Sequence, residues 1–145
     1  MMWILLGVYM AWIAPCAYGQ AGPLVLRDGD RVVFVGDGIT QQMFYTRATA
    51  TALLGLYPEK GLRFFNGGRE SASAGEAIEW VDQLMGLVRP TVVFVCFGFN
   101  EAQERVDPAE MLETYLQSLG GLLERIVQHP QVREVIVIGP PPMEA

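Results

Sequence analysis

The sequence predicts an α/β domain built on an open parallel sheet. Three apolar runs, "RVVFVG", "TVVFVCFG" and "EVIVIG", carry that prediction. They are rich in β-branched residues, continuous rather than alternating, and each ends at glycine. Strands read this way when both faces of their sheet are covered, whereas a half-exposed strand alternates. Helical segments separate the runs, and the order β-α-β-α-β-α-β calls for right-handed crossovers with helices layered on the sheet. At 145 residues, with no repeat and no linker, the chain has the size of one domain.

The first stretch, "MMWILLGVYMAWIAPCAYGQA", carries no charge before Arg27. Its apolar core and the small residues of "AYG" predict a secretion signal over residues 1–19, with a retained membrane anchor as the alternative and a buried helix as the third. Either of the first two places the domain, residues 24–145, outside the cytoplasm: secreted, periplasmic or membrane-anchored. Cleavage after Gly19 would leave Cys96 as the single cysteine, so no internal disulfide is expected. Cys96 itself sits in an apolar run and reads as a small buried hydrophobe.

The strand "RVVFVG" comes next and is followed by a helix over about 41–56. "LRFFN" is a weaker strand, and a helix over about 74–88 leads to "TVVFVCFG". The last helix starts at "DPAE": Asp107 caps, Pro108 suits the first helical position, and Glu110 completes a capping box. Leu112, Tyr115, Leu116, Leu119, Leu123, Ile126 and Val127 then form one apolar stripe, with Gly120 and Gly121 marking a kink or a close packing point. "EVIVIG" closes the sheet.

Charge excludes one class of partner. Ten Lys and Arg against sixteen Asp and Glu give a net charge of −6 with no basic stripe, which argues against nucleic acid. No residue pattern asks for a metal or a cofactor. An open parallel sheet puts its chemistry at the C-terminal ends of its strands, here in the loops that begin at Gly36, Asn66, Gly98 and Gly139.

Three of those loops carry motifs. After the first strand stands "VGDGIT", with Gly36, Asp37, Gly38, Ile39 and Thr40. After the second stands "FFNGGRESASAG", and after the third "FGFNEA", with Gly98, Phe99, Asn100 and Glu101. In this order and spacing the three blocks resemble those of the SGNH/GDSL hydrolase family of esterases and lipases, over about residues 30–145. The resemblance implies a three-layer, flavodoxin-like open parallel sheet. It also implies a serine nucleophile in the first block and a D-x-x-H pair in a later one. Three oxyanion donors complete the site: the nucleophile N–H, a second-block glycine N–H and the third-block Asn amide.

Residue by residue, the nucleophile position falls on Gly38, which has an N–H but nothing to attack with. The second-block glycine falls on Ser71, the third-block amide on Asn100, and the family's following Asp on Glu101. The 145 residues contain no D-x-x-H pair; the sequence reads "GPPPMEA" after the fourth strand, where the family continues with a fifth strand and a final helix. The resemblance therefore implies an ester hydrolase-like domain that is catalytically impaired and keeps an oxyanion-type cradle of Gly38, Ser71 and Asn100, supported by Asp37, Gly98 and Glu101. Its ligand would be an acyl ester or an acetylated carbohydrate, and a second domain or protomer would cover the C-terminal sheet edge. The alternative is an active carbohydrate or acyl esterase using Ser71 or machinery beyond this chain. A third, non-enzymatic reading is a flavodoxin-like nucleotide binder, against which "GDGIT" lacks the glycine run or Lys of a phosphate loop.

Plainer roles stand beside these. His129, the single histidine, lies between the last helix and "EVIVIG", at the opposite edge of the sheet from Gly38, and reads as a loop residue. Asp37 reads first as a brace for its turn. Gly36, Gly98 and Gly139 serve backbone geometry, Arg69 and Glu70 read as solvated, and Phe64, Phe65 and Trp80 as core.

Overall fold

The computed structural model describes residues 24–103 and 107–139. The predicted leader or anchor and the segment after Gly139 lie outside the described residues, and among those described no helix is long and apolar enough to cross a membrane. Four strands, β1 (Arg31–Gly36), β2 (Arg63–Gly68), β3 (Val92–Cys96) and β4 (Glu134–Ile138), pair in the order β2-β1-β3-β4, all parallel. Helices α1 (Gly38–Gln41), α2 (Phe44–Leu56), α3 (Ala74–Val88) and α4 (Pro108–Val127) alternate with them. The architecture is the expected three-layer open sheet.

The register explains why the strand runs are continuous. Val33 pairs with Phe65 and Val93, and Val93 with Val135, so these residues share one face of the sheet. That face packs on Ala77, Trp80, Val81 and Met85 of α3 and on Leu119, Leu122 and Ile126 of α4. The neighbouring row of Val32, Phe34, Val92 and Phe94 faces the other way, against Leu26, Leu62, Tyr45 and Leu53. At its centre the Phe34 ring stacks on Phe94 with centroids 5.1 Å apart and meets Tyr45 edge-on at 5.8 Å.

The helices differ from expectation in three places. The segment predicted as one helix over 41–56 is two, because Met43 takes a left-handed backbone with φ 64°. Helix α4 runs unbroken through Gly120 and Gly121, so there is no kink; an added Cβ on Gly121 would stand 3.4 Å from the Ile78 Cδ1, in contact with α3, whereas one on Gly120 would meet nothing within 4 Å. Leu112, Leu116 and Val127 of the predicted stripe are each more than half exposed, while Leu122 is buried. Helix α4 packs on α3 as well as on the sheet, and this turns its buried arc toward Leu122.

Capping also differs in detail. Asp107 Oδ1 accepts from the Ala109 and Glu110 N–H groups. The full reciprocal box forms at α3, where Ser73 Oγ accepts from Glu76 N–H and Glu76 Oε2 accepts from Ser73 N–H at 2.8 Å. Such a cap stabilises a helix by about 1 kcal/mol. At the N-terminal edge of the sheet, buried Asp30 pairs with Arg133 and accepts from the Thr91 hydroxyl, tying the starts of three strands together.

Candidate active site

Sharp packing at the C-terminal edge of the sheet creates the site. Gly36 ends β1 where an added Cβ would stand 2.0 Å from Thr40 Oγ1 and 2.4 Å from the Cys96 carbonyl. Gly68 ends β2 where a Cβ would meet Gln41 N at 2.3 Å. The two strand ends therefore press directly on α1. Asn66 pins them: its Nδ2 donates to the Thr40 carbonyl at 2.7 Å and its Oδ1 accepts from Gly68 N–H at 2.8 Å. A further bond, Arg69 N–H to the Gly36 carbonyl, holds the second loop against the first.

Asp37 begins the first loop. Its Oδ1 accepts from Ile39 N–H at 2.9 Å, so it braces the turn locally. The residue is only 1% exposed, and its Oδ2 has no hydrogen-bond partner among the described residues. Burial, with the Glu101 charge nearby, raises its pKa above the ordinary carboxylate value, against the bond from Ile39. Burial likewise raises the neighbouring thiol of Cys96, in keeping with the expected buried cysteine. The Tyr45 hydroxyl lies 2.8 Å from Thr40 Oγ1 under the same turn.

Gly38 follows, and its environment differs from that of Gly36. Its φ is not positive, and a Cβ there would have only Glu70 near it, at 3.8 Å from Cα and 4.0 Å from Cγ. Among the described residues its N–H has no acceptor. Glu70, expected in solvent beside Arg69, thus borders the nucleophile position. Both residues are exposed, as expected, and the Arg69 guanidinium also lies over the Trp80 ring, 4.3 Å from the centroid.

Ser71 holds the left-handed conformation, with φ 58°, a backbone usual for glycine and uncommon for serine. Its N–H also lacks an acceptor among the described residues, whereas the next one, of Ala72, donates to the Arg69 carbonyl. Asn100 reaches this loop from the third block. Its Nδ2 donates to the Ala72 carbonyl at 2.8 Å, so one of its two N–H groups is already engaged. Of the three donors that the resemblance implies, Asn100 therefore has one amide hydrogen left, the other being taken by the loop's own carbonyl.

Glu101 occupies the place after Asn100 and is the structural hub of the third block. Only 9% exposed, it accepts from Ala74 N–H at 2.8 Å through Oε1 and from Gly98 N–H at 3.1 Å through Oε2. It thereby joins the Gly98 turn, whose φ is 116°, to the first residue of α3. The Tyr115 hydroxyl donates to the Phe97 carbonyl at 3.2 Å and braces the same turn from α4. Neither role was readable in the sequence, since both depend on contacts across the fold.

His129 is remote from all of this. Its Nε2 lies 3.1 Å from Asp82 Oδ1, beside Arg125, where α4 runs back to the start of β4. Among the described residues no group of His, Cys, Asp and Glu could hold a metal ion.

No family model and no curated protein matches the sequence. Solved structures do. A gut microbial diltiazem-metabolizing enzyme superposes with a TM-score of 0.67 at 25% identity, over 77% of this chain and 27% of its own. A catalytic mutant of an acetylxylan esterase from Geobacillus stearothermophilus superposes with a TM-score of 0.68 at 21% identity, over 79% of this chain and 61% of its own. An alpha/beta hydrolase from the metagenome of Lake Arreo, Spain, gives 0.63 at 20%, over 77% and 61%. The chain thus spans less than two thirds of the length of each. With its parallel β2-β1-β3-β4 sheet and the three blocks converging at one edge, the chain has the α/β fold of these esterases and hydrolases.

Proposed function

We propose that the chain is an acyl-carbonyl-binding domain derived from an SGNH esterase, in which the serine route to cleavage is closed at Gly38. One observation carries this reading: the N–H groups of Gly38 and Ser71, on two loops in contact, both lack acceptors among the described residues. Asn100 stands at the same loop with one amide hydrogen left. Preorganised donors of this kind stabilise a carbonyl oxygen that gathers negative charge, and they can hold a neutral carbonyl as well. The left-handed backbone of Ser71 supports its equivalence with the second-block glycine. Acetylated carbohydrate or simple acyl ester is the ligand class, in line with the acetylxylan esterase among the neighbours. Cleavage needs a nucleophile and a base within hydrogen-bond reach. Position 38 has no side chain, and His129 pairs with Asp82 elsewhere.

Titration of the ¹⁵N-labelled full chain with an N-acetylated sugar tests the binding reading. The backbone signals of Gly38 and Ser71 and the side-chain amide of Asn100 should move together. Shifts confined to other residues would refute it.

A second reading, an esterase with Ser71 as nucleophile, is favoured by the same φ of 58°, since strained backbones are common at nucleophile turns. Turnover of p-nitrophenyl acetate that vanishes in Ser71→Ala and survives in Asn66→Ala would replace the first reading by the second.

A further inference from the structure

The position next to the two free N–H groups is not empty of charge. The atoms nearest to where a side chain at residue 38 would begin belong to Glu70, its Cα at 3.8 Å and its Cγ at 4.0 Å. One further C–C bond, about 1.5 Å, joins Cγ to the carboxyl carbon. Whichever way that bond is turned, the carboxyl carbon stays within about 5.5 Å of a Cβ at position 38, and its oxygens within about 6.5 Å. Glu70 has no ion-pair partner among the described residues. The one cation beside it in sequence, Arg69, holds its guanidinium over the Trp80 ring, and both line the cleft that Glu70 shares.

Ser71 and Glu70 also line one open cleft of about 320 Å³ together with Glu76 and Glu79. Glu76 is committed to the cap of α3 through Ser73. Of the carboxylates in this cleft, Glu70 is the one that also borders Gly38, and so the one placed to face whatever the Gly38 and Ser71 N–H groups hold.

We propose that Glu70 sets the charge selectivity of the cradle, admitting an uncharged acyl group, ester or amide, and turning away carboxylates. This deepens the function proposed above and rests on it. The physics is a contest of two local fields. Backbone N–H donors favour an oxygen carrying negative charge, and a carboxylate and an amide carbonyl satisfy them with equal geometry. A negative charge about 5–6 Å away penalises only the carboxylate, by roughly threefold to tenfold in affinity at the near-water dielectric, about 45–80, of a cleft open to solvent. The penalty fades with added salt, because the cleft is open to solvent.

Acetate and acetamide make the test, being close in size and different in charge. Each is titrated into the ¹⁵N-labelled full chain and into its Glu70→Gln variant at one low ionic strength, reading the Gly38 and Ser71 amide signals. The expected result is an acetate affinity that rises threefold to tenfold in Glu70→Gln, while acetamide changes less than twofold. The acetate gain should shrink at high salt. Acetate affinity unchanged or lowered by Glu70→Gln, with acetamide still moving those two signals, overturns the role of Glu70 and leaves the cradle standing. If neither probe moves the Gly38 and Ser71 signals in either protein, the cradle itself fails and Glu70 has nothing to select. Glu70 is exposed, so the variant folds, and a conserved amide spectrum away from the loop confirms it.

Discussion

Shortening Glu101 by one methylene, to the Asp that the family carries after its block-three Asn, should weaken the fold. The Glu101 carboxylate spans two buried N–H groups, of Ala74 at 2.8 Å and of Gly98 at 3.1 Å. An Asp at the same backbone position reaches about 1.5 Å less far, so it can keep one of these bonds but not both. A hydrogen bond to a charged acceptor contributes about 1.5–3 kcal/mol, and a buried N–H left without an acceptor costs about 1–3 kcal/mol. Glu101→Asp should therefore lower stability by about 2–3 kcal/mol. Glu101→Gln keeps the reach but offers a single oxygen, and it removes a negative charge from the first turn of α3, a further 0.3–1 kcal/mol or so. It should cost about 2–4 kcal/mol, offset slightly by relief of repulsion with Asp37. Urea unfolding followed by the fluorescence of buried Trp80 reads both. With a slope of about 1–3 kcal/mol per molar, the midpoint should fall by on the order of 1 M or more. Two variants within about 0.5 kcal/mol of the parent would mean that the carboxylate does not hold the third block to α3.

Three other perturbations have outcomes of definite sign. Asp37 has a raised pKa in the fold, so the folded chain holds this proton more tightly than the unfolded one. That term favours folding at low pH and is lost as pH rises from the ordinary carboxylate range through the raised value. Asp37→Asn keeps an oxygen for Ile39 and should abolish that decline; a stability–pH curve identical to the parent's would contradict it. Asp30 runs the other way: burial pushes it up, but the Arg27 N–H, Arg133 and Thr91 outweigh this and hold its pKa down. Its contribution is present above the ordinary value and lost as pH falls through the folded one. Arg133→Met should thus cost about 2–4 kcal/mol at pH 7 and bring acid unfolding to higher pH, as followed by circular dichroism. Gly68→Ala puts a Cβ against the Gln41 backbone, which cannot swing aside as a side chain would. A loss of about 2 kcal/mol or more in thermal or urea unfolding is expected, and a variant as stable as the parent would show that α1 can move off the strand end.

What the sequence revealed and what it hid divide along the range of the interactions. The strands were legible because doubly covered strands need β-branched apolar runs, and Val33, Val93 and Val135 do share one buried face. Helix α3 was legible to the residue. The break at Met43 was not, because a left-handed methionine is held by its surroundings and leaves no Gly or Asn as a mark. Within the site, the three motifs pointed to loops that the structure does bring together at one sheet edge, and the resemblance singled out Gly38, Ser71 and Asn100 on them. It could not tell that Asn100 would find the Ala72 carbonyl, that Glu101 would bridge two N–H groups, or that Glu70 would lie beside Gly38. Each of these is a contact between residues 28, 27 or 32 positions apart, set by how three loops fold over one sheet edge.

Position 38 stands apart from the other glycines of this edge. Most glycines of this edge are enforced: Gly36 and Gly68 by backbone and Thr40 atoms under 3 Å from any added Cβ, and Gly98 by a φ of 116°. Gly38 is not. Its backbone suits any L-residue, and an added Cβ would make ordinary contact with Glu70 at 3.8 Å. Gly38→Ser should therefore fold as well as the parent, and up to about 1 kcal/mol better because the unfolded chain loses freedom. It should nevertheless leave p-nitrophenyl acetate turnover at the parent's level. A serine hydroxyl needs a base to take its proton, and the chain's single histidine is tied to Asp82 beside Arg125. Two of the three carboxylates near the turn do not fill the gap: Asp37 is buried with its charge disfavoured, and both oxygens of Glu101 accept backbone N–H groups, which leaves only Glu70. A gain of tenfold or more on Gly38→Ser would place a working base within reach of the turn, with Glu70 the first to remove. An unstable variant would instead mean that glycine is kept there for the backbone, and the absence of a nucleophile would then say nothing about the chemistry of the site.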